Sequence, residues 1–284
     1  MSVADAARVW TGEFRKPRNS AAQAKGSIHD DATAAKLGFK GGTVAGSIHM
    51  DQFVPGLVEI YGSRWFETGA MSLYFTQPTV DSEAVRATVE AGEARCRLTM
   101  HNEAGAQICE GTASLGHDPQ SELSKRLAAQ TPAGPGALRI LAAMQIGDEH
   151  HDLPIRIEPE GHADYLERAT EPLAEYRDDG VLPPAQLVHM THMTRKAVLA
   201  KAAQPSVGLF GALEVEQIAG PLRAGVDYLA RTKVLKFSES PKTENVCYEV
   251  IFTEKDAQTG KGGPDLGRVL YLLRFMKGSS PLWA

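Results

Sequence analysis

His29 is the first residue whose surroundings suggest chemistry. It follows Ile28 and precedes Asp30 and Asp31, where a loop gives way to the Ala-rich run Ala32–Ala35. An imidazole near its ordinary pKa can take a proton from water, or from a carbon beside a thioester, and return it. Asp30 and Asp31 are candidates to orient that ring. The competing reading is a helix-capping or solvent-facing His, with the two acids in a first turn that faces the positive end of the helix dipole. Further on, Gly46 and Ser47 open a second element. A helix start beginning with Gly presents free backbone N–H groups to an anion or a polarised carbonyl. The same pair also reads as a tight turn plus N-cap, and both readings can hold together. His49 lies close to this helix start, and Asp51 follows one turn after Ser47, facing either a tunnel or solvent.

These residues need an element to position them. Met50, Phe53, Val54, Leu57, Val58 and Tyr61 recur at helical spacing, the pattern of a helix buried along one face. A helix over Ser47–Tyr61 is therefore expected, N-capped by Ser47. Pro55 lacks an N–H and should bend it or loosen one turn. After it come four alternating stretches, Gly69–Thr76, Glu83–Ala91, Glu93–His101 and Gln107–Leu115, separated by turn signals. A short alternating piece, Trp10–Phe14, precedes the whole as a first strand.

The run Ile28-His29, Ala35, Gly38-Phe39 and Val44-Ala45-Gly46 resembles the MaoC-like, or R-specific, enoyl-CoA hydratases of the hotdog fold. His29, Asp31, Ala35, Phe39 and Gly46 fit that family's pattern. The family's catalytic aspartate falls on Ala24, its Asn on Gly26, its Pro on Ser27, and the His before the helix-start Gly on Ala45. The resemblance implies a curved antiparallel sheet wrapped around a central helix. It also implies reversible hydration or dehydration of an acyl thioester, expected to be a coenzyme A ester, without a cofactor. In that scheme the Gly46–Ser47 helix start holds the thioester oxygen and His29 manages a proton. Asp31 or Asp51 would stand in for the missing acid, and Gly46, Ser47, His49 and Phe39 would contact substrate. Because Ala24 replaces the acid, an altered elimination or isomerisation remains open. So does a catalytically silent, acyl-binding subunit of a heteromeric complex. A thioesterase is a third option, with Asp51 or Glu59 as its carboxylate.

The second half repeats the plan. Leu153–Glu158 reads as a strand, Ala163–Tyr176 as helical, and Pro183-Pro184 as the opening of a helix whose buried face carries Leu187, Met190, Thr194, Ala197 and Val198. Strands follow at Gly208–Ile218, Val226–Phe237, Asn245–Glu254 and Arg268–Phe275. Gly69-Ala70-Met71 matches Gly211-Ala212-Leu213, and Phe75-Thr76-Gln77-Pro78 matches Ile218-Ala219-Gly220-Pro221, at 142 or 143 positions apart. The expected architecture is α+β: a double hotdog, with units at 1–118 and 137–284 and a linker, Pro119–Gly136, that contains the polar helical piece Ser121–Gln130. Fusion lets two sheet edges pair inside one chain. The second half has Thr170-Glu171-Pro172-Leu173 where the first has His29, so one site per chain is expected, walled partly by the second half.

Composition narrows the function classes. The 284 residues carry a net charge of −5, with no basic block to meet nucleic acid or an anionic membrane. No long apolar run suggests a membrane span, and Met1–Trp10 is too short and mixed for a leader. A cytoplasmic protein, a homodimer like the single-hotdog relatives, is the expectation. Cys96, Cys109 and Cys247 are scattered, odd in number and outside any CxxC pair, and read as reduced thiols packed in strands. The pairs His150-His151 and His189/His192 lack a third ligand at useful spacing, so no metal is expected. The run Thr259–Gly263 lacks phosphate-loop spacing and reads as a hairpin turn.

Overall fold

A computed structural model describes residues 8–284. Most of the Met1–Trp10 start therefore lies outside the described residues. The first half contains β1 (Val9–Thr11), α1 (Asp31–Lys36), α2 (Gly46–Asp51), α3 (Val54–Tyr61), α4 (Arg64–Thr68), β2 (Gly69–Phe75), β3 (Val85–Glu90), β4 (Cys96–Asn102) and β5 (Gln107–Leu115). After α5 (Glu122–Ala129) come β6 (Glu149–Ile155), α6 (Pro159–Leu166), α7 (Ala174–Asp178), α8 (Pro184–Val198), β7 (Gly208–Gln217), β8 (Tyr228–Glu239), β9 (Thr243–Lys255) and β10 (Gly262–Met276).

The ten strands form one antiparallel sheet in the order β1-β3-β4-β5-β2-β7-β10-β9-β8-β6. The order is a palindrome about the β2–β7 seam. At that seam Ser72 faces Glu214, its own counterpart 142 positions on, so the pseudo-two-fold axis passes through this pair. Alternation along the strands sorts residues between the two faces. In β7, Leu213 and Val215 join the main core, whereas Ala212 joins a small cluster on the other face with Leu270, Leu272, Cys247 and Leu123.

Three expectations are corrected. The helix over Ser47–Tyr61 is two helices, α2 and α3. Pro55 has no N–H to give the Asp51 carbonyl, and its ring would clash there, so α2 ends at Asp51 and Pro55 falls in the first turn of α3. The buried face survives the break: Met50, Phe53, Val54 and Leu57 are all fully buried. Ser47 is not the N-cap. Ala45 is, without a side-chain hydrogen bond, and Ser47 is a buried residue inside α2. The stretch Ala163–Tyr176 is α6 and α7 rather than one helix, because Pro172 disfavours helical backbone in the residue before it.

Other elements fall where the periodicity puts them. Pro184 opens α8 in its first turn. The polar helix between the halves is α5. It is docked rather than loose: its Ser121 N-cap bonds Glu214 across the seam at 2.5 Å, and its Leu123 is fully buried. Gly260 takes φ +69° in the turn joining β9 to β10, a conformation suited to Gly. No helix among the described residues is long and apolar enough to cross a membrane.

Candidate functional site

Two cavities meet at three residues, His29, Arg195 and Phe210. One, of about 250 Å³, runs along α2 and the end of β2 past Phe39, Gly46, His49 and Phe75. The other, of about 510 Å³, opens over α6 and α8 past Ala24, Ser47, Tyr165, His189 and His192. Both halves of the chain wall each cavity. Among the described residues the linings together contain four arginines (Arg18, Arg168, Arg195, Arg274) and four histidines (His29, His49, His189, His192), with no Asp or Glu.

His29 is held by a short backbone network. Its Nδ1–H donates to the Thr43 carbonyl at 2.7 Å, and Thr43 N–H donates to the Ile28 carbonyl at 2.9 Å. That bond fixes the tautomer and leaves Nε2 as an acceptor without a partner among the described residues. Asn19 Nδ2 braces the His29 carbonyl at 2.8 Å. Gly42 packs so closely beneath that carbonyl that a Cβ would sit 2.2 Å from its oxygen. Burial lowers the His29 pKa, the Thr43 bond offsets part of this, and the Arg195 charge lowers it further. The ring is therefore neutral at neutral pH, as a general base requires.

The two acids beside His29 serve the loop. Asp30 N-caps α1, accepting from Ala32 N at 3.0 Å and Thr33 N at 3.1 Å, and it also accepts from Gly26 N at 2.8 Å. Asp31 is exposed and accepts from Gly42 N at 2.7 Å. Neither lines a cavity. Asp31 acts at one remove, by fixing the Gly42–Thr43 backbone that holds the imidazole.

Asp51 is fully buried behind α2. It accepts from the backbone N–H of Ala185, in the first turn of α8, at 2.9 Å, and from the Tyr165 hydroxyl. Burial pushes its pKa up to about 7, against the pull of those two donors. Asp51 does not line either cavity, but its partner Tyr165 does. It ties the two central helices together across the halves.

Gly46 borders the smaller cavity, and a Cβ there would meet the Phe75 ring at 2.7 Å. Only Gly lets this backbone approach so closely, and its N–H stands in the first turn of α2, where helical amides have no intrahelical acceptor. Ser47 turns toward the larger cavity. His49 is buried, with Nε2 2.8 Å from Thr79 Oγ1 and Nδ1 unpartnered; burial lowers its pKa to about 4, so it too is neutral. Phe39 is half-buried in the same wall.

Arg195 and Phe210 were not legible as site residues. Arg195 follows His189 and His192 at a regular spacing of three along α8, and that spacing was the available signal. His192 stacks on Phe210 at 6.4 Å between ring centroids, and Arg195 lies over the same ring at 5.3 Å. Enclosure by the cavity walls, then the charges of Arg195 and the neighbouring imidazoles, hold His192 well below the usual imidazole range. No group of three or more His, Cys, Asp or Glu among the described residues is placed to hold a metal ion. The three cysteines are buried in β4, β5 and β9, and burial raises each thiol pKa, Cys247 to about 12, which disfavours the thiolate a nucleophile needs.

No family model matches the sequence, and no curated protein matches it. Solved structures do. A MaoC domain protein from Chloroflexus aurantiacus J-10-fl aligns with TM-score 0.61 at 10% identity, covering 95% of both chains. Rv0216, a conserved protein of Mycobacterium tuberculosis with a double hotdog fold, aligns with TM-score 0.63 at 9% identity, covering 95% of this chain and 96% of its own. The dehydratase domain of the M. tuberculosis polyketide protein PpsC aligns with TM-score 0.53 at 13% identity over 96% and 95%. Coverage of nearly the whole chain establishes the architecture: this is an α+β double hotdog.

Proposed function

We propose that the chain is a hydro-lyase of the hotdog dehydratase type, acting on an acyl thioester at one site in which His29 is the sole acid–base group. The observation that carries this reading is the Nδ1–Thr43 bond. It leaves a neutral imidazole with a free Nε2 at a cavity that, among the described residues, no carboxylate lines. The likeness of the fold to a dehydratase domain supports the reading at the level of reaction class.

In the dehydration direction, Nε2 takes the proton from the carbon next to the thioester carbonyl. The electron pair moves onto the carbonyl oxygen, which the Gly46 N–H stabilises as an enolate. The enolate collapses to form the carbon–carbon double bond and expels hydroxide from the next carbon. The imidazolium gives that hydroxide the proton it has just taken, so water leaves and the imidazole is neutral again. Hydration is the reverse. Asp31 positions His29 through Gly42 and Thr43, and Asp51 positions α8 and Tyr165.

The test is hydration of short, long and aromatic enoyl-CoA esters, followed by loss of absorbance, with His29→Ala alongside. Turnover abolished in His29→Ala supports the reading, and turnover retained in that variant would refute it. A second reading, an acyl-binding module without turnover, is favoured by Ala24, which lines the larger cavity where the resembling family has its catalytic acid. Binding of the esters with no turnover of any would select it.

A further inference from the structure

Arg195 of α8 is the charged group that the proton chemistry leaves unused. It borders both cavities, beside His29 and over the Phe210 ring. Its Nε and Nη2 are buried without a hydrogen-bond partner, and among the described residues no Asp or Glu pairs with it. The Tyr248 hydroxyl, buried too, lies against the guanidinium as a neutral neighbour at the margin of a hydrogen bond, so it brings no anion to the charge.

The other cavity arginines are not in this position. Arg18 pairs with Asp81 at 3.3 Å, Arg274 donates to the Tyr74 hydroxyl at 2.8 Å, and Arg168 is exposed to solvent. A guanidinium partly withdrawn from water without an anion is costly to keep. A ligand that brings the anion removes that cost. The fork of a guanidinium suits a carboxylate, which can accept two parallel N–H bonds, and the Phe210 ring, 5.3 Å from the guanidinium carbon, supports the group at the cavities.

We propose that Arg195 holds a free carboxylate on the acyl group, so that the substrate is the half-thioester of a short dicarboxylic acid. The proposal rests on the thioester reading above. Its position beside His29 puts the anion a few atoms from the reacting carbon. The bulkier phosphates of a carrier would meet Arg18 and Arg168, at the solvent side of the larger cavity.

The experiment is equilibrium titration of the protein with succinyl-CoA and with butyryl-CoA. The two chains have the same length and differ only in a terminal carboxylate or methyl group. Neither can be hydrated, so the result does not depend on turnover. The wild type should bind succinyl-CoA on the order of 100-fold more tightly, as expected for hydrogen bonds to a buried charged partner. Arg195→Gln should bring the ratio to within about threefold, whereas Arg168→Gln, at the exposed side, should preserve it. Arg195→Lys keeps the charge without the fork and should retain an intermediate ratio. If Arg195→Gln fails to fold, the wild-type ratio and Arg195→Lys decide the matter. A wild-type ratio near one would overturn the proposal. So would an Arg195→Gln that weakens both esters equally, since Arg195 would then contact a part common to both. Failure to bind either ester would overturn the thioester reading and this proposal with it. A strong succinyl-CoA preference without turnover of the matching unsaturated half-thioester would support Arg195 and remove only the hydro-lyase reading.

Discussion

At the scale of single residues, the site depends on a few contacts with no slack. Gly46 is one. A Cβ at that position would lie 2.7 Å from the Phe75 ring, so Gly46→Ala must push the ring into the cavity or shift the start of α2. We expect kcat/KM to fall by roughly 10- to 100-fold, since displacements near 1 Å at a reacting centre have effects of that size. Melting temperature should change little, and both are measurable on one preparation. Arg195 is another. Its charge lowers the His29 pKa, so Arg195→Gln should move the acid limb of kcat/KM to higher pH. An unmoved limb would separate Arg195 electrostatically from the base. Much of this scale was legible in the sequence: His29, Gly46 and Phe39 stand together at the cavity. Asp31 and Asp51 do not, because spacing along the chain does not say which way a carboxylate turns. Arg195 and Phe210 join the site from positions far along the chain; the spacing of three from His189 and His192 hints at Arg195, and no local pattern announces Phe210.

At the scale of elements, Asp51 is the link between α2 and α8, and its energetics carry a sign. Its folded pKa is raised to about 7, above the unfolded value of 3.8, so the folded state binds the proton more tightly. That contribution to stability is present below pH 4 and is lost as pH rises from about 4 to about 7. Asp51→Asn keeps an acceptor for Ala185 N and for Tyr165 but cannot ionise. The stability of the wild type relative to Asp51→Asn should therefore fall across that window, by up to about 4 kcal/mol, in chemical denaturation at a series of pH values. A difference independent of pH would contradict the raised pKa. His49 acts in the opposite sense: its folded pKa is depressed to about 4, so its contribution is lost as pH falls below about 6.5. The comparison with Asp51→Asn cancels it. A second test concerns α3, where a Cβ on Gly56 would lie 2.5 Å from Trp10 and 2.9 Å from Val89. Gly56→Ala should cost about 1–3 kcal/mol, the usual range for overpacking a core. Element type was readable from period and from Pro184, whereas the breaks at Pro55 and before Pro172 were underestimated: each was expected inside one continuous helix. The cap at Ser47 was misread because Gly46 already takes helical backbone, which moves the cap back two residues to Ala45 and leaves Ser47 buried inside the helix.

At the scale of the whole molecule, fusion puts the seam inside the chain. The main core runs without a break from Met50 and Leu73 in the first half to Leu213 and Tyr271 in the second. Both halves should therefore unfold together, giving one calorimetric transition whose enthalpy matches the van't Hoff value; two resolved transitions would contradict a shared core. The outer edges of the sheet are guarded against further pairing. β1 has three residues, and β6 carries Pro154 and a register shift between His150 and Leu153. The repeat was visible as matched residues 142 or 143 positions apart. Its consequence, that Ser72 and Glu214 lie together on the axis, follows only once the seam strands are known to run antiparallel in this register.

The central claim is that one imidazole carries the proton in both directions. The most direct test is the pH dependence of kcat/KM for enoyl-CoA hydration. A single neutral base predicts a profile that is flat at neutral pH and falls with unit slope on the acid side. The limb should lie below the ordinary imidazole value of about 6.5, because burial and Arg195 both lower the His29 pKa. A bell-shaped profile, requiring a second protonated group, would contradict it.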